Sequence, residues 1–279
     1  MMTNSNVPLF EKEKASLSSR ILTFAATAWL GVATIGQWIF GIYILMFYGK
    51  STLTGEFEKW NKVLPHGYVE GDWKGNLVVG MHVLLAAVIV IGGPLQLIPL
   101  IRRQLPRFHR WLGRVYVCTV ILVATGGLIM IWRRAGLFDS IRHISISVQA
   151  IYIVSFAIIA VRYARSGRFE LHSKWALRLF MVANGVWFFR VGLMFWLLVN
   201  GGPVGFDPET FTGPFLTGLS IFSYGIPLSL IVLEMYFYAK KKQNKVFSLF
   251  TSVTILIFTV VMAVGIFGAT MSMWLPRMK

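Results

Sequence analysis

Seven uninterrupted apolar stretches constrain this chain more than anything else in it. They run over about 21–47, 77–101, 111–132, 143–163, 174–199, 216–239 and 246–274, and each reaches the ~20 residues that a helix needs to cross the hydrocarbon core of a bilayer. In lipid every backbone polar group must be satisfied within the protein, and runs of this length do so as helices. Composition agrees: 56% of the side chains are hydrophobic, mean hydropathy is +0.66 and 14% are charged, where a soluble domain carries about 25% charged residues. The predicted fold class is all-α, a polytopic transmembrane helical bundle of seven spans. A soluble enzyme, a disordered chain and a nucleic-acid-binding module are all poor readings. The net charge of +16 does not favour nucleic acid, because in a membrane protein Lys and Arg set topology first.

The basic residues predict an orientation. One side of the predicted bundle carries seventeen, in the N-terminal tail (Lys12, Lys14, Arg20) and in the segments 102–114, 162–178 and 240–245; the other carries nine. The positive-inside rule then places the N-terminus in the cytoplasm and the C-terminus outside. The organisation expected is a cytoplasmic tail 1–20, a first span 21–47, an external loop 48–76 forming a small ordered cap, a four-helix core 77–199, an external loop 200–215, and the last two spans with their tail over 216–279. The first span is too long for a cleaved signal peptide and reads as a retained signal anchor. Such a chain belongs in a bacterial cytoplasmic (inner) membrane, surrounded by lipid.

Polar groups are costly in lipid, so their depth carries the most information. Of the five histidines, His66 lies in the external loop. The other four are graded by level: His82 and His143 toward the outer face, His109 and His172 toward the inner, one on each of spans two to five. A b-type haem held between two helices needs one neutral imidazole on each face of its iron, and an outer and an inner pair meet that requirement in kind. Ala86, Gly113, Ser147 and Ala176 stand four residues after the four histidines, one turn on along the same face, and all are small. The plainer reading is that these histidines are interfacial. Around the inner pair, Arg110, Arg114 and Arg178 are placed to bind haem propionates, a phosphate or a lipid head group through charge-assisted hydrogen bonds, or else only to set topology.

Arg190 lies well inside the fifth span, where an unpaired arginine costs at least about 2.5–3.5 kcal/mol. Eighteen residues separate it from His172, five turns at 3.6 residues per turn, which puts both on one inward face. Glu234 is too near the cytoplasmic end of the sixth span to meet it and is better placed for Arg178 or a nearby lysine. Arg190 therefore serves an anion (a propionate, a quinone oxygen or a substrate carboxylate) or pairs with Asn184 or helix carbonyls. In the second span Gly92-Gly93-Pro94 predicts a kink, and Gly93 and Gly126-Gly127 mark close approach by a neighbour or a flat ligand.

The elements Met81-His82, Gly93-Pro94-Leu95-Gln96-Leu97, Phe108-His109-Arg110-Trp111-Leu112-Gly113-Arg114-Val115-Tyr116 and Leu171-His172-Ser173-Lys174-Trp175-Ala176-Leu177-Arg178, ending at Arg190, resemble a bacterial family of predicted membrane proteins, domain of unknown function 2306. The likeness covers about 77–196. His82, His109, His172, Arg178 and Arg190 match its motif positions and His143 does not. The resemblance implies a polytopic membrane protein and no established activity; the histidines at both faces are similar in layout to two-haem b-type cytochromes and ferric reductases, an analogy of architecture.

Several membrane enzymes are excluded by motif. There is no HExxH, no diiron histidine box, no lysine in the seventh span for a retinal Schiff base, and no phosphate-binding glycine loop. Cys118 is the one cysteine, so there is no internal disulfide and no CxxC pair. Three readings remain open: a haem b electron-transfer protein exchanging electrons with quinone or a redox partner; a non-redox carrier or binder of a lipid or small anion, using Arg190 and the cationic cytoplasmic rim; and an accessory subunit with interfacial histidines.

Overall fold

The structure, a computed structural model, describes residues 16–64, 66–133 and 140–278. Lys12, Lys14, Arg134 and Lys279, which enter the charge comparison, lie outside the described residues, as does most of the predicted tail 1–20. Among the described residues there is no strand, only an isolated bridge between Asp207 and Thr212.

Twelve helical segments build the bundle: α1 (Leu17–Ile44), α2 (Lys50–Leu53), α3 (Trp73–Leu97), α4 (Pro99–Gln104), α5 (Pro106–Arg133), α6 (Ser140–Arg165), α7 (Phe169–Ala183), α8 (Gly185–Asn200), α9 (Pro214–Ser220), α10 (Leu228–Lys242), α11 (Lys245–Ala269) and α12 (Leu275–Met278). Three π-helical turns, Leu45–Gly49, Ile221–Gly225 and Thr270–Trp274, are spliced into the chain after α1, α9 and α11. Five spans are single long helices, Leu17–Leu53, Trp73–Leu97, Pro106–Arg133, Ser140–Arg165 and Lys245–Met278; two more are bent pairs, giving up to seven. Short connections set sequential spans antiparallel and adjacent. The chain α1–α3–α5–α6–α7/α8–α11 closes on itself as a ring, with α10 against α7 and α11. The helices between 77 and 199, α3, α5, α6 and α7/α8, follow one another in that ring.

The helix ends differ from the apolar runs in identifiable places. The second span stops at Leu97 rather than near 101, because Ile98 precedes Pro99 and is extended (φ −71°, ψ 116°), the conformation a following proline imposes. The helix runs through Pro94, where the sequence marks a kink, to Leu97. Gly93 there is closely packed: a Cβ on it would stand 3.0 Å from Phe180 and 3.2 Å from Tyr116.

The larger difference is that the fifth and sixth spans are each broken at mid-length. α7 and α8 meet at Asn184 with a bend of 51°, and the Pro214–Gly225 segment meets α10 with a bend of 47°. Pro227 accounts for the second break, since it lacks the N–H that would continue the ladder. At the first, the carbonyls freed at the end of α7 find side-chain donors. Asn184 Nδ2 donates to Phe180 O at 2.8 Å, and Gln149 Nε2 crosses from α6 to Val182 O at 2.7 Å. Irregular backbone at membrane depth is tolerated only where protein or a cavity satisfies it in this way. The two breaks touch: a Cβ on Gly185 would lie 2.8 Å from the Ser223 carbonyl oxygen, and would also collide with Gln149.

Within 48–76 the first span continues to Leu53 and α3 begins at Trp73, and side chains tie the segment between them together. Trp60 is buried in it, donates Nε1 to Ser51 Oγ at 2.8 Å and packs on Gly80, while Asn61 and Asn76 fasten the backbone of Tyr68 and Val69. In the 200–215 loop Asp207 accepts from the Glu209 N–H and the Thr210 hydroxyl, which hold its carboxyl below the usual range.

Gln149→Leu removes the bond that crosses from α6 to the Val182 carbonyl, a loss of about 0.5–1.5 kcal/mol, and Gly185→Ala drives a methyl into the Ser223 carbonyl. Both lower the midpoint of thermal unfolding in detergent, Gly185→Ala the more. An unchanged midpoint in both contradicts this account of the breaks.

Candidate functional site

Arg190 lies on the second turn of α8, ten residues before Asn200, or about 15 Å from that end of the helix at 1.5 Å per residue. It faces the centre of the bundle. Its guanidinium carbon lies 5.7 Å from the Phe40 ring centroid, and it is within Coulombic reach of Tyr43, Tyr48, His82 and Tyr224. These come from α1, the first π turn, α3 and the second π turn. Its Nε is buried without a hydrogen-bond partner, and among the described residues no carboxylate is within ion-pair distance of it. Asn184, the structural partner allowed by the sequence, donates Nδ2 to Phe180 O, while its Oδ1 is buried without a partner. The common face of Arg190 and His172 fails for a related reason: the 51° bend at Asn184 interrupts the count of turns between them.

More cations line the same end. Arg277 of α12 stands beside Tyr43 with Nη1 buried and unpartnered. Arg142 of α6 is within reach of Tyr224 and donates Nη2 to Phe211 O at 2.7 Å. The walls are aromatic. Trp274 packs on Phe40 and Tyr43 at centroid distances of 5.1 and 6.3 Å, and Tyr43 meets Tyr48 edge-on at 6.2 Å. Each π turn contributes one of these rings, Tyr48, Tyr224 and Trp274. A π turn adds a residue within a helix and rotates the residues beyond it, and such turns recur at functional sites.

Several polar atoms packed in this region lack hydrogen-bond partners. In the single packed cluster that holds Phe40, Tyr43, Tyr48, Trp187 and Trp274, the Nε1 donors of Trp187 and Trp274 and the Tyr43 hydroxyl are buried without partners, and on α1 Gln37, 0% exposed, has both amide atoms unpaired. Buried polar groups are nearly always satisfied, and each exception asks for an explanation such as a bound ligand or water.

The histidines divide into their expected pairs by level, with different surroundings. His82 packs from α3 onto α5, against the Val123 carbonyl; a Cβ on Gly127 would lie 3.2 Å from its ring. His143 is buried on α6, its ring 5.6 Å from that of Trp132. Ser147, whose small side chain was to leave room beside His143, is covered by Trp132, which donates Nε1 to its hydroxyl at 3.2 Å. The outer pair as packed does not fit a macrocycle. In the inner pair, His109 of α5 is within Coulombic reach of His172 of α7, and His172 Nδ1 lies 3.0 Å from Ala160 O. That bond is the kind that orients a metal-ligating imidazole and leaves Nε2 for the metal. Against it, Gln96 occupies the space beside Gly113 and donates to His109 O at 3.2 Å. Among the described residues no group of three or more His, Cys, Asp or Glu is placed to hold a metal ion.

The remaining cationic residues are placed simply. Arg110 and Arg114 are exposed on the first turns of α5. Arg178 forms the ion pair with Glu234 anticipated from their levels, Nε to Oε1 at 2.6 Å and Nη2 to Oε2 at 2.9 Å, and lies between the rings of Trp175 (4.7 Å) and Phe237 (5.2 Å). Sequence reasoning found Arg190 by its depth but not Arg277, Tyr43, Tyr48 or Tyr224. A lone basic residue near the end of the last span and tyrosines in apolar runs carry no signal without the packing.

Apolar helical spans of this length and number define a polytopic membrane protein. Residues 79–209 match the sequence model of the family described as predicted membrane protein (DUF2306). No curated protein and no solved structure matches the chain.

Since Arg190 is half-buried with its Nε unpartnered, its desolvation weighs against the ligand-free fold. Arg190→Met raises the midpoint of thermal unfolding of the ligand-free protein in detergent. A fall of several degrees shows instead that Arg190 supports the fold.

Proposed function

We propose that the protein binds a small organic anion, a carboxylate or sulfonate on an aromatic or apolar body, in the chamber around Arg190. The observation that carries this reading is Arg190 itself, an arginine deep in a span with no acidic partner. A planar guanidinium presents paired donors that match a carboxylate or sulfonate; the unpaired Tyr43 and Trp274 donors and Arg277 extend the same demand for oxygen acceptors. Phe40, Tyr48 and Tyr224 favour an apolar body over a bare inorganic ion. With the more basic face inside, the chamber opens in the outer half of a bacterial cytoplasmic membrane, and the chain is a multi-pass protein whose exposed apolar residues meet lipid.

Calorimetric titration of the detergent-purified protein with benzenesulfonate and benzoate tests the reading. The expected result is saturable binding that weakens at least ~10-fold in Arg190→Gln, consistent with losing about 1.5–3 kcal/mol of charged hydrogen bonding. Equal binding by Arg190→Gln, or none by the native protein, overturns it.

A second reading, haem b between His109 and His172 with electron exchange through quinone or a redox partner, is favoured by the His172–Ala160 bond alone. Haem would supply one-electron chemistry; His109 and His172 would hold it, with Arg110 and Arg114 near its propionates. Its test is the visible spectrum of protein purified from a haem-replete host, reduced with dithionite. A colourless protein at full yield ends this reading and leaves the first intact.

A further inference from the structure

The two broken spans form one device. Both break near mid-length, at Asn184 and at Ile226–Pro227, and the breaks are in contact through Gly185 and the Ser223 carbonyl. On one side of the breaks lie α8 and α9, with Arg190, Tyr224 and the chamber. On the other lie α7 and α10, which end at the basic face. These two half-helices are joined by the Arg178–Glu234 pair and by a cluster of Phe180, Met181 and Leu233, packed with Phe188, Trp29 and Leu97. That cluster shares Trp29 and Phe188 with the packed residues around Phe40 and Tyr43, and so lies between them and the basic face.

The half-helices can pivot at low cost. A continuous helix that bends must break its own i→i−4 bonds. Here those bonds are already absent at the breaks, and Asn184 and Gln149 side chains stand in for part of them. The clamp is also reversible. Glu234 is 48% exposed at its side chain while Arg178 is 19% exposed, so the carboxylate can leave for water while Arg178 keeps its stacking on Trp175 and Phe237. Arg178 is then the next cation toward the basic face from Arg190, on the other half of the same broken span. An anion leaving Arg190 competes with Glu234 for that guanidinium, and in doing so parts the two half-helices.

We infer that the protein carries its anion across the membrane, with α7 and α10 opening at the basic face about the mid-span breaks when the Arg178–Glu234 pair parts. This rests on the Arg190 reading for its cargo, but the gate stands on separate residues. Discontinuous spans that meet at mid-membrane beside a binding site are the architecture on which alternating access is built in carriers.

Two measurements separate gate from cargo. In a Cys118→Ser background, Met181→Cys places a thiol in the closing cluster. Its reaction with a water-soluble maleimide is expected to be slow with the pair intact and at least ~10-fold faster when Glu234→Gln or Arg178→Gln is added, both checked for monodisperse elution. Unchanged rates in both variants overturn the gate whatever the ligand. In proteoliposomes of phosphatidylethanolamine and phosphatidylglycerol, labelled benzenesulfonate, which stays ionised and does not leak as a neutral acid, is expected to exchange faster than in protein-free vesicles. Binding without exchange overturns carriage and leaves the Arg190 site standing; absence of binding overturns the site reading and carriage of this anion class with it.

Discussion

An arginine held inside a membrane bundle with nothing of the protein's own to neutralise it is the constraint on which the rest of this structure turns. The cost of burying a cation is recovered only by a partner charge or by hydrogen bonds that saturate its donors. Glu234 is engaged with Arg178, Asn184 with the end of α7, and the nearest aromatic faces of Phe40 and the tyrosines offer a quadrupole rather than an acceptor. The other unpaired donors of Trp187, Trp274 and Tyr43 belong to the same packed cluster. One missing partner, an anion with several oxygens, would account for several of these groups together.

The irregular parts of the fold are explained by the same chamber. Regular helices would bury these rings in the ordinary succession of faces; the π turns at Leu45–Gly49, Ile221–Gly225 and Thr270–Trp274 shift Tyr48, Tyr224 and Trp274 out of it. The breaks at Asn184 and Pro227 let two spans change direction without leaving backbone groups bare in lipid, because Gln149 and Asn184 supply the missing donors. Strained or discontinuous elements concentrate where function demands them, and the rigid spans α1, α3, α5 and α6 hold them in place.

The features legible in the sequence are those that a bilayer punishes. Span length and the alternation of ends were readable because twenty apolar residues have few other uses, and Arg190 because its depth is improbable. The Arg178–Glu234 pair was readable because two opposite charges shared a level. The breaks were not: the Ala183–Asn184–Gly185 and Gly225–Ile226–Pro227 stretches lie within apolar runs, and the side chain that stabilises the first, Gln149, is thirty-three residues from the carbonyl it serves. Pro94 and Pro99 show the converse. Both carry the signal of a helix breaker, and the helix ends only at the second, where the chain leaves the bundle. Beside Gly113 and Ser147 stand Gln96 and Trp132, which come from neighbouring helices and leave no mark near those positions in the sequence.

The direct test of the central claim is a cryo-electron microscopy map of the protein purified in its native lipid at a resolution that shows side chains. The account predicts non-protein density against the Arg190 guanidinium, extending toward Arg277 between the rings of Phe40 and Tyr43. A map in which Arg190 instead reaches a carboxylate or a helix carbonyl of the chain, with protein atoms filling the chamber, contradicts it.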